Sequence, residues 1–138
     1  MEIFHLLDVT ADVGIECKGT TLKELFNAAL AGLYYIIFDS LIDYKKLPFI
    51  KSESLKIGEK DISDILFMAL EEAIYLIYQK KMVLNVEEIN EEWGLIKYNI
   101  YECHVKIENE VKAVTLHNYI VERQENNNLW YARIIFDV

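Results

Sequence analysis

At 138 residues, 53% hydrophobic and 27% charged, the chain is long enough to bury a core as one domain over 1–138, and its composition argues against disorder. Fourteen Lys and Arg against 23 Asp and Glu leave a formal net charge of -9, which speaks against a surface that grips a phosphate backbone directly. Nucleic acid, if involved, is then handled through a partner.

The N-terminal stretch Met1–His5 lacks a basic leader, and the apolar run behind it is broken by Asp8 and Asp12, so neither a secretion signal nor a membrane span is expected. Val13, Ile15 and Cys17 alternate with Gly14, Glu16 and Lys18, the period of a half-buried strand, which puts Asp12 on the polar face with Glu16. Leu22, Leu25, Phe26, Ala29, Leu30 and Leu33 then recur at helical spacing. Thr21 with Glu24 three residues later reads as a capping box at the helix start.

Ser54–Ile57 reads as extended. A second helix follows from the stripe Ile62, Ile65, Leu66, Ala69, Leu70, Ala73, Ile74 and Ile77, with Asp61 as N-cap and Lys80-Lys81 at its negative end. Phe67, Tyr75 and Tyr78 widen the apolar face, as for a helix packed on more than one neighbour. Extended runs are expected at Met82–Val86, Gly94–Tyr101 and Glu110–Leu116, with the acidic stretch 87–92 as a solvated connection.

Asn126-Asn127-Asn128 separates Tyr119–Arg123 from Leu129–Phe136, and asparagine's tolerance of positive φ makes this a hairpin. In the last strand Trp130, Ala132, Ile134 and Phe136 share one parity, and Asp137 lies on the other with Arg133. The sum is an α+β fold of about seven or eight strands, with two main helices packed on an antiparallel or mixed sheet system.

The chemistry-bearing residues are few. Phosphate-loop, dinucleotide, zinc-protease and serine-hydrolase motifs are missing, His5, His104 and His117 share no ligand spacing, and Cys17 and Cys103 stand alone, as in a reducing cytoplasm. What remains is acidic. Two carboxylates, those of Asp137 and the chain end, sit at the end of an apolar ladder, and Asp8 and Asp12 lie near the other terminus. If those ends meet, they form a cage suited to a cation.

The segments Asp8-Val9-Thr10-Ala11-Asp12-Val13-Gly14-Ile15 and Gly19–Ala29, together with Glu110–His117 and the terminal Ile135-Phe136-Asp137-Val138, resemble the signatures of the archease family across the whole chain. The resemblance implies an accessory protein, not itself an enzyme, that activates the RtcB-type tRNA-splicing RNA ligase in the cytoplasm. It would promote ligase guanylylation and turnover and broaden nucleotide use. It also implies a divalent cation, calcium with magnesium or manganese as alternatives, held by Asp12, Asp137 and Val138. Lys112 matches a motif lysine expected at the partner or its nucleotide, equally readable as a strand lysine at a sheet edge. Val9 stands where the family carries histidine. Two other classes stay open on the residues alone, namely a small metal-dependent hydrolase or phosphotransfer enzyme and a metal-independent, chaperone-like binding module.

Overall fold

The computed structural model describes residues 3–9 and 12–138. Thr10 and Ala11 of the acidic motif, and Met1 and Glu2 of the expected leaderless start, lie outside the described residues.

In chain order the elements are β1 (Ile3–Val9), β2 (Asp12–Gly19), α1 (Leu22–Phe38), β3 (Phe49–Lys56), α2 (Ile62–Lys80), β4 (Met82–Asn90), β5 (Leu95–Glu102), β6 (Ala113–Gln124) and β7 (Leu129–Asp137). The strands form two antiparallel sheets, ordered β1-β2-β7-β6 and β3-β5-β4. Two helices on antiparallel sheet is the expected α+β class, with two sheets in place of a single sheet system. One apolar cluster joins them, running from Ile15, Ile134 and Phe136 through Leu25, Phe26, Leu33 and Leu70 to Leu84 and Ile96.

Both helix starts follow from their caps. Thr21 is the N-cap of α1 and its hydroxyl accepts from the Glu24 N–H at 3.1 Å, while the Glu24 carboxylate reaches back to the Thr20 N–H at 2.9 Å, one residue beyond the usual box partner. Gly19 permits the tight entry, since a Cβ there would stand 2.6 Å from the Leu25 nitrogen. Asp61 caps α2, and Lys81 closes it in the left-handed region at φ 54°.

Helix α2 meets several neighbours, as its wide apolar face suggests. Phe67 stacks edge-on against Tyr119 at 5.5 Å, and the Tyr78 hydroxyl accepts from the Val111 N–H at 2.8 Å. Tyr75, expected on that face, is half exposed and faces solvent.

Residues Ile3–Val9, for which no element was expected, form β1, and two further expectations are corrected. The stretch 87–92 is no simple connection, because β4 runs to Asn90 after a bulge at Val86/Glu88, and Lys97 reaches Glu87 at 3.3 Å. Glu110–Leu116 and Tyr119–Arg123 belong to one strand, β6, which starts only at Ala113 and is interrupted by a bulge between Thr115 and Ile120 with Asn118 at φ 52°. The triple-asparagine hairpin is present, with Asn128 at φ 56° and its side-chain oxygen accepting from Arg123.

Candidate metal centre at the end of the four-stranded sheet

Strands β2 and β7 are the inner pair of the four-stranded sheet. Val13 pairs with Phe136, Ile15 with Ile134 and Cys17 with Ala132, and all of these except the half-buried Val13 are fully buried against the helices. A one-residue slip would turn that whole row to solvent, so the core fixes the register.

Carried one residue further, the register brings Asp12 level with Asp137. Directly opposed residues on antiparallel neighbours have Cβ atoms about 4.5–5.5 Å apart. Both aspartates have the parity that faces away from the helices, Asp12 half-buried and Asp137 exposed. Among the described residues, no cation pairs with either carboxylate and no donor hydrogen-bonds to it.

The surrounding packing holds this pair in place. Ile135, on the same face as Asp137, is only 1% exposed because it lies across β2 in the space left by Gly14; a Cβ on Gly14 would meet its Cδ1 at 2.7 Å and the Leu7 Cβ at 3.4 Å. Strand parity alone would have placed Ile135 in solvent. Its carbonyl accepts from the Thr115 hydroxyl at 3.1 Å, and the Asp137 carbonyl accepts from the Lys112 N–H at 2.8 Å. The main chain of Asp137 is therefore tied to β6, while its carboxylate is left available. The Lys112 side chain is exposed just outside β6 at this same end.

Behind the aspartates lies a cleft of ≈ 340 Å³ floored by Leu6, Val13, Tyr35 and Ile36 and bordered by Asp39, Glu110 and Val138. Helix α1 ends here, with Asp39 as its left-handed C-cap and no basic residue in its last turn. The negative end of the helix dipole thus adds to the acidic field instead of being offset. The irregular segment after β5 satisfies the helix's last carbonyls: Glu108 and Asn109 donate N–H groups to the Ile37 carbonyl at 2.8 and 3.1 Å, and the Asn109 amide donates to Ile36 at 3.0 Å. Asp39 and Glu110 join this end through chain folding, and neither was singled out from sequence as a site residue.

The structure thus brings Asp12, Asp137, Val138 and Lys112 to one end of one sheet. The histidines do not join them. His104 is paired with Glu102 at 2.6 Å, and His117 sits in the β6 bulge beside Asn118. Among the described residues no three His, Cys, Asp or Glu side chains gather as a metal cluster. A cation held at this end would need the main-chain oxygens of Val138 beside the two aspartates. All of these donors are oxygen, which suits a hard divalent ion such as calcium better than a soft one.

Comparison with known proteins gives a consistent result. The model of the Archease protein family matches residues 4–138. Among related proteins named archease, that of Methanosarcina acetivorans is 31% identical over 148 residues, covering 98% of this chain and 95% of its own. That of Methanothermobacter thermautotrophicus is 30% identical with both chains fully covered, and that of Thermococcus gammatolerans is 29% identical with 94% of each covered. Two solved structures share the fold. Methanobacterium thermoautotrophicum protein 1598 has a TM-score of 0.72 at 24% identity over 98% of each chain, and a Thermotoga maritima protein described as "an archease, possible chaperone" has a TM-score of 0.71 at 22% identity over 96% of this chain and 94% of its own.

Proposed function

The chain belongs to the archease family, and on that premise we propose that it serves as an accessory protein to an RtcB-type RNA ligase, promoting guanylylation of the ligase, its turnover and its use of more than one nucleotide. In this reading the acidic end of the four-stranded sheet is the working surface, and contact with nucleic acid runs through the ligase.

The observation that carries the reading is the opposed pair Asp12 and Asp137, held on a fixed register at the unneutralised end of α1. Two like charges on neighbouring strands disfavour one another, so a site kept in this state is arranged for a positive group brought from outside. A divalent cation would be held by Asp12, Asp137 and the main-chain oxygens of Val138, with calcium, magnesium and manganese as candidates. Such an ion would supply positive charge where phosphate charge develops during nucleotidyl transfer.

The chain's own residues do the rest. Ile135 over Gly14 fixes the direction of the β7 end, Lys112 ties the Asp137 main chain to β6, and its exposed ammonium stands ready for a phosphate or acidic group of the partner. The "possible chaperone" description of the Thermotoga maritima protein supports a second reading, a protein-binding module whose action needs no metal.

Incubating a purified RtcB-type ligase with GTP and Mn²⁺, with and without the chain, tests the proposal through the amount of covalent ligase–GMP. More adduct is expected with the chain, and no gain would sink the proposal. Stimulation that survives both chelation and Asp12→Asn would select the chaperone-like reading. Calorimetric titration with Ca²⁺ of a variant extended by Gly-Ser after Val138 tests the ligand set, with weaker binding expected.

A further inference from the structure

The three-stranded sheet is covered unevenly. Along the outer edge of β4, helix α1 supplies hydrogen bonds in place of another strand. The Tyr34 hydroxyl donates to the Leu84 carbonyl at 2.7 Å and accepts its N–H at 2.9 Å, and the Asn27 amide does the same for Val86 at 2.9 and 2.8 Å. At the opposite edge β3 has no such cover among the described residues, and all of its own residues are exposed.

The register pairs Leu55 with Ile96 and Glu53 with Tyr98, so the face of β3 that should be roofed by a helix continues the buried face of β5. Helix α2 stands beside that face without closing over it. Between them runs a groove of ≈ 480 Å³ with an apolar lining that includes Leu55, Met68, Leu76, Tyr98 and Ile100, rimmed by Glu53 and Glu72. That volume falls in the range of about 300–1,000 Å³ usual for ligand-binding clefts.

Two features of the groove specify its occupant. Tyr98 is 6% exposed and lines the groove, and its hydroxyl opens to solvent there without a hydrogen-bond partner among the described residues. Burial and then the Glu72 carboxylate push its pKa up to about 12, so it remains a donor at neutral pH. On the rim Glu53 is paired with Lys51 at 2.7 Å, whereas Glu72 has no ion pair among the described residues. An apolar floor, a phenolic donor and a free carboxylate call for an apolar segment with a flanking cation and an exposed acceptor.

We propose that this groove docks a cationic amphipathic segment of a partner protein. Apolar side chains of that segment seat over Leu55, Leu76 and Ile100, a Lys or Arg reaches Glu72, and an acceptor receives the Tyr98 hydroxyl. A second copy of the chain is the poorer occupant, because a net charge of -9 would set acid against this acidic rim. The groove shares no residue with the acidic end of the other sheet and stands whether or not that end activates a ligase.

The probe is a synthetic amphipathic peptide with Leu at helical spacing and Arg between, titrated into the isotopically labelled full chain while methyl and Tyr98 signals are followed by NMR. Controls are a scrambled peptide, a Glu-for-Arg peptide and phenethylamine. Shifts confined to the groove are expected with the Arg peptide. Leu55→Asp and Glu72→Lys, both at exposed positions, should each weaken its binding about tenfold, the effect of losing one anchor contact, while circular dichroism and the melting temperature confirm that the variants fold. Asp12→Asn should bind the peptide normally.

No binding at millimolar peptide, equal binding of the scrambled or acidic peptide, shifts outside the groove, or unchanged binding by both groove variants would each overturn the proposal. Phenethylamine binding as tightly as the peptide would overturn it in favour of a small-molecule site. A dimer in sedimentation equilibrium that Leu55→Asp dissociates would overturn it in favour of a self-interface.

Discussion

The two sheets leave different things unfinished. In the four-stranded sheet the inner strands β2 and β7 are paired on both sides, their inward rows are buried, and what lacks a partner among the described residues is charge, at Asp12 and Asp137. In the three-stranded sheet the charges are largely solvated, and what lacks a partner is apolar surface along β3. A rigid frame can hold like charges together at a cost, because the buried core sets the register whatever the carboxylates prefer. An edge strand resting on one neighbour can instead leave a groove open without losing the fold, since little of the core depends on it.

The largest expected effect follows from that difference. Phe136→Ala removes a fully buried ring beside Asp137 and should cost roughly 3–5 kcal/mol in urea unfolding. Leu55→Ala on β3 should stay within about 1 kcal/mol, as for a partly exposed side chain. Equal losses would mean that β3 is as central to the fold as β7 and would break the contrast.

Next in size is the hydrogen-bonded edge of β4. Tyr34→Phe leaves both the N–H and the carbonyl of Leu84 without their shared partner in a buried setting, at an expected cost of about 1–3 kcal/mol. A neutral result would show that water replaces the hydroxyl and that this edge is no better closed than that of β3.

The tyrosines make the pH dependence smaller but clear in sign. Burial raises the pKa of Tyr34, Tyr78, Tyr98, Tyr119 and Tyr131 above the ordinary phenol value, Tyr98 to about 12. The folded state then holds these protons more tightly than the unfolded chain does. The corresponding stability is complete below about pH 10, the unfolded phenol value, and is lost as pH rises through the folded values. Urea midpoints should therefore fall from about pH 10 upward, and Glu72→Gln should bring the Tyr98 transition to lower pH in an ultraviolet titration. Tyrosines that titrate together near the ordinary value would contradict the packing around them.

The smallest effect has the opposite sign to most substitutions. In chelator, Asp12→Asn should raise stability by about 0.2–1 kcal/mol, because it removes a like charge facing Asp137 across the strands. Excess calcium should reverse the order by stabilising the native chain alone. Destabilisation in chelator would mean that the Asp12 carboxylate already has a partner.

Elements whose pattern is local were legible from the residues. The helices carried their own caps at Thr21 and Asp61, the hairpin its asparagines, and the parity of Asp12 and Asp137 came from the apolar rows beside them. Features set by distant packing were not legible. Ile135 is buried on the outward face only because Gly14 on another strand makes room, and Asp39 and Glu110 border one cleft only because the segment after β5 ties itself to the end of α1. The division into two sheets depends likewise on α1 hydrogen-bonding along the β4 edge, a pairing between residues 50 and 59 positions apart. The family resemblance, carried by short motifs, pointed to the acidic end before its register was known. It gave no hint of the groove, whose lining comes from α2, β3, β4 and β5.

The central claim is that the acidic end acts on an RNA ligase. Its most direct test is the yield of ligase–GMP formed from GTP in limiting metal, with the native chain and with Asp12→Asn and Asp137→Asn side by side. The native chain should raise the yield, and both variants, folded to the same melting temperature within a few degrees, should fail to do so. Full stimulation by the two variants would contradict the account.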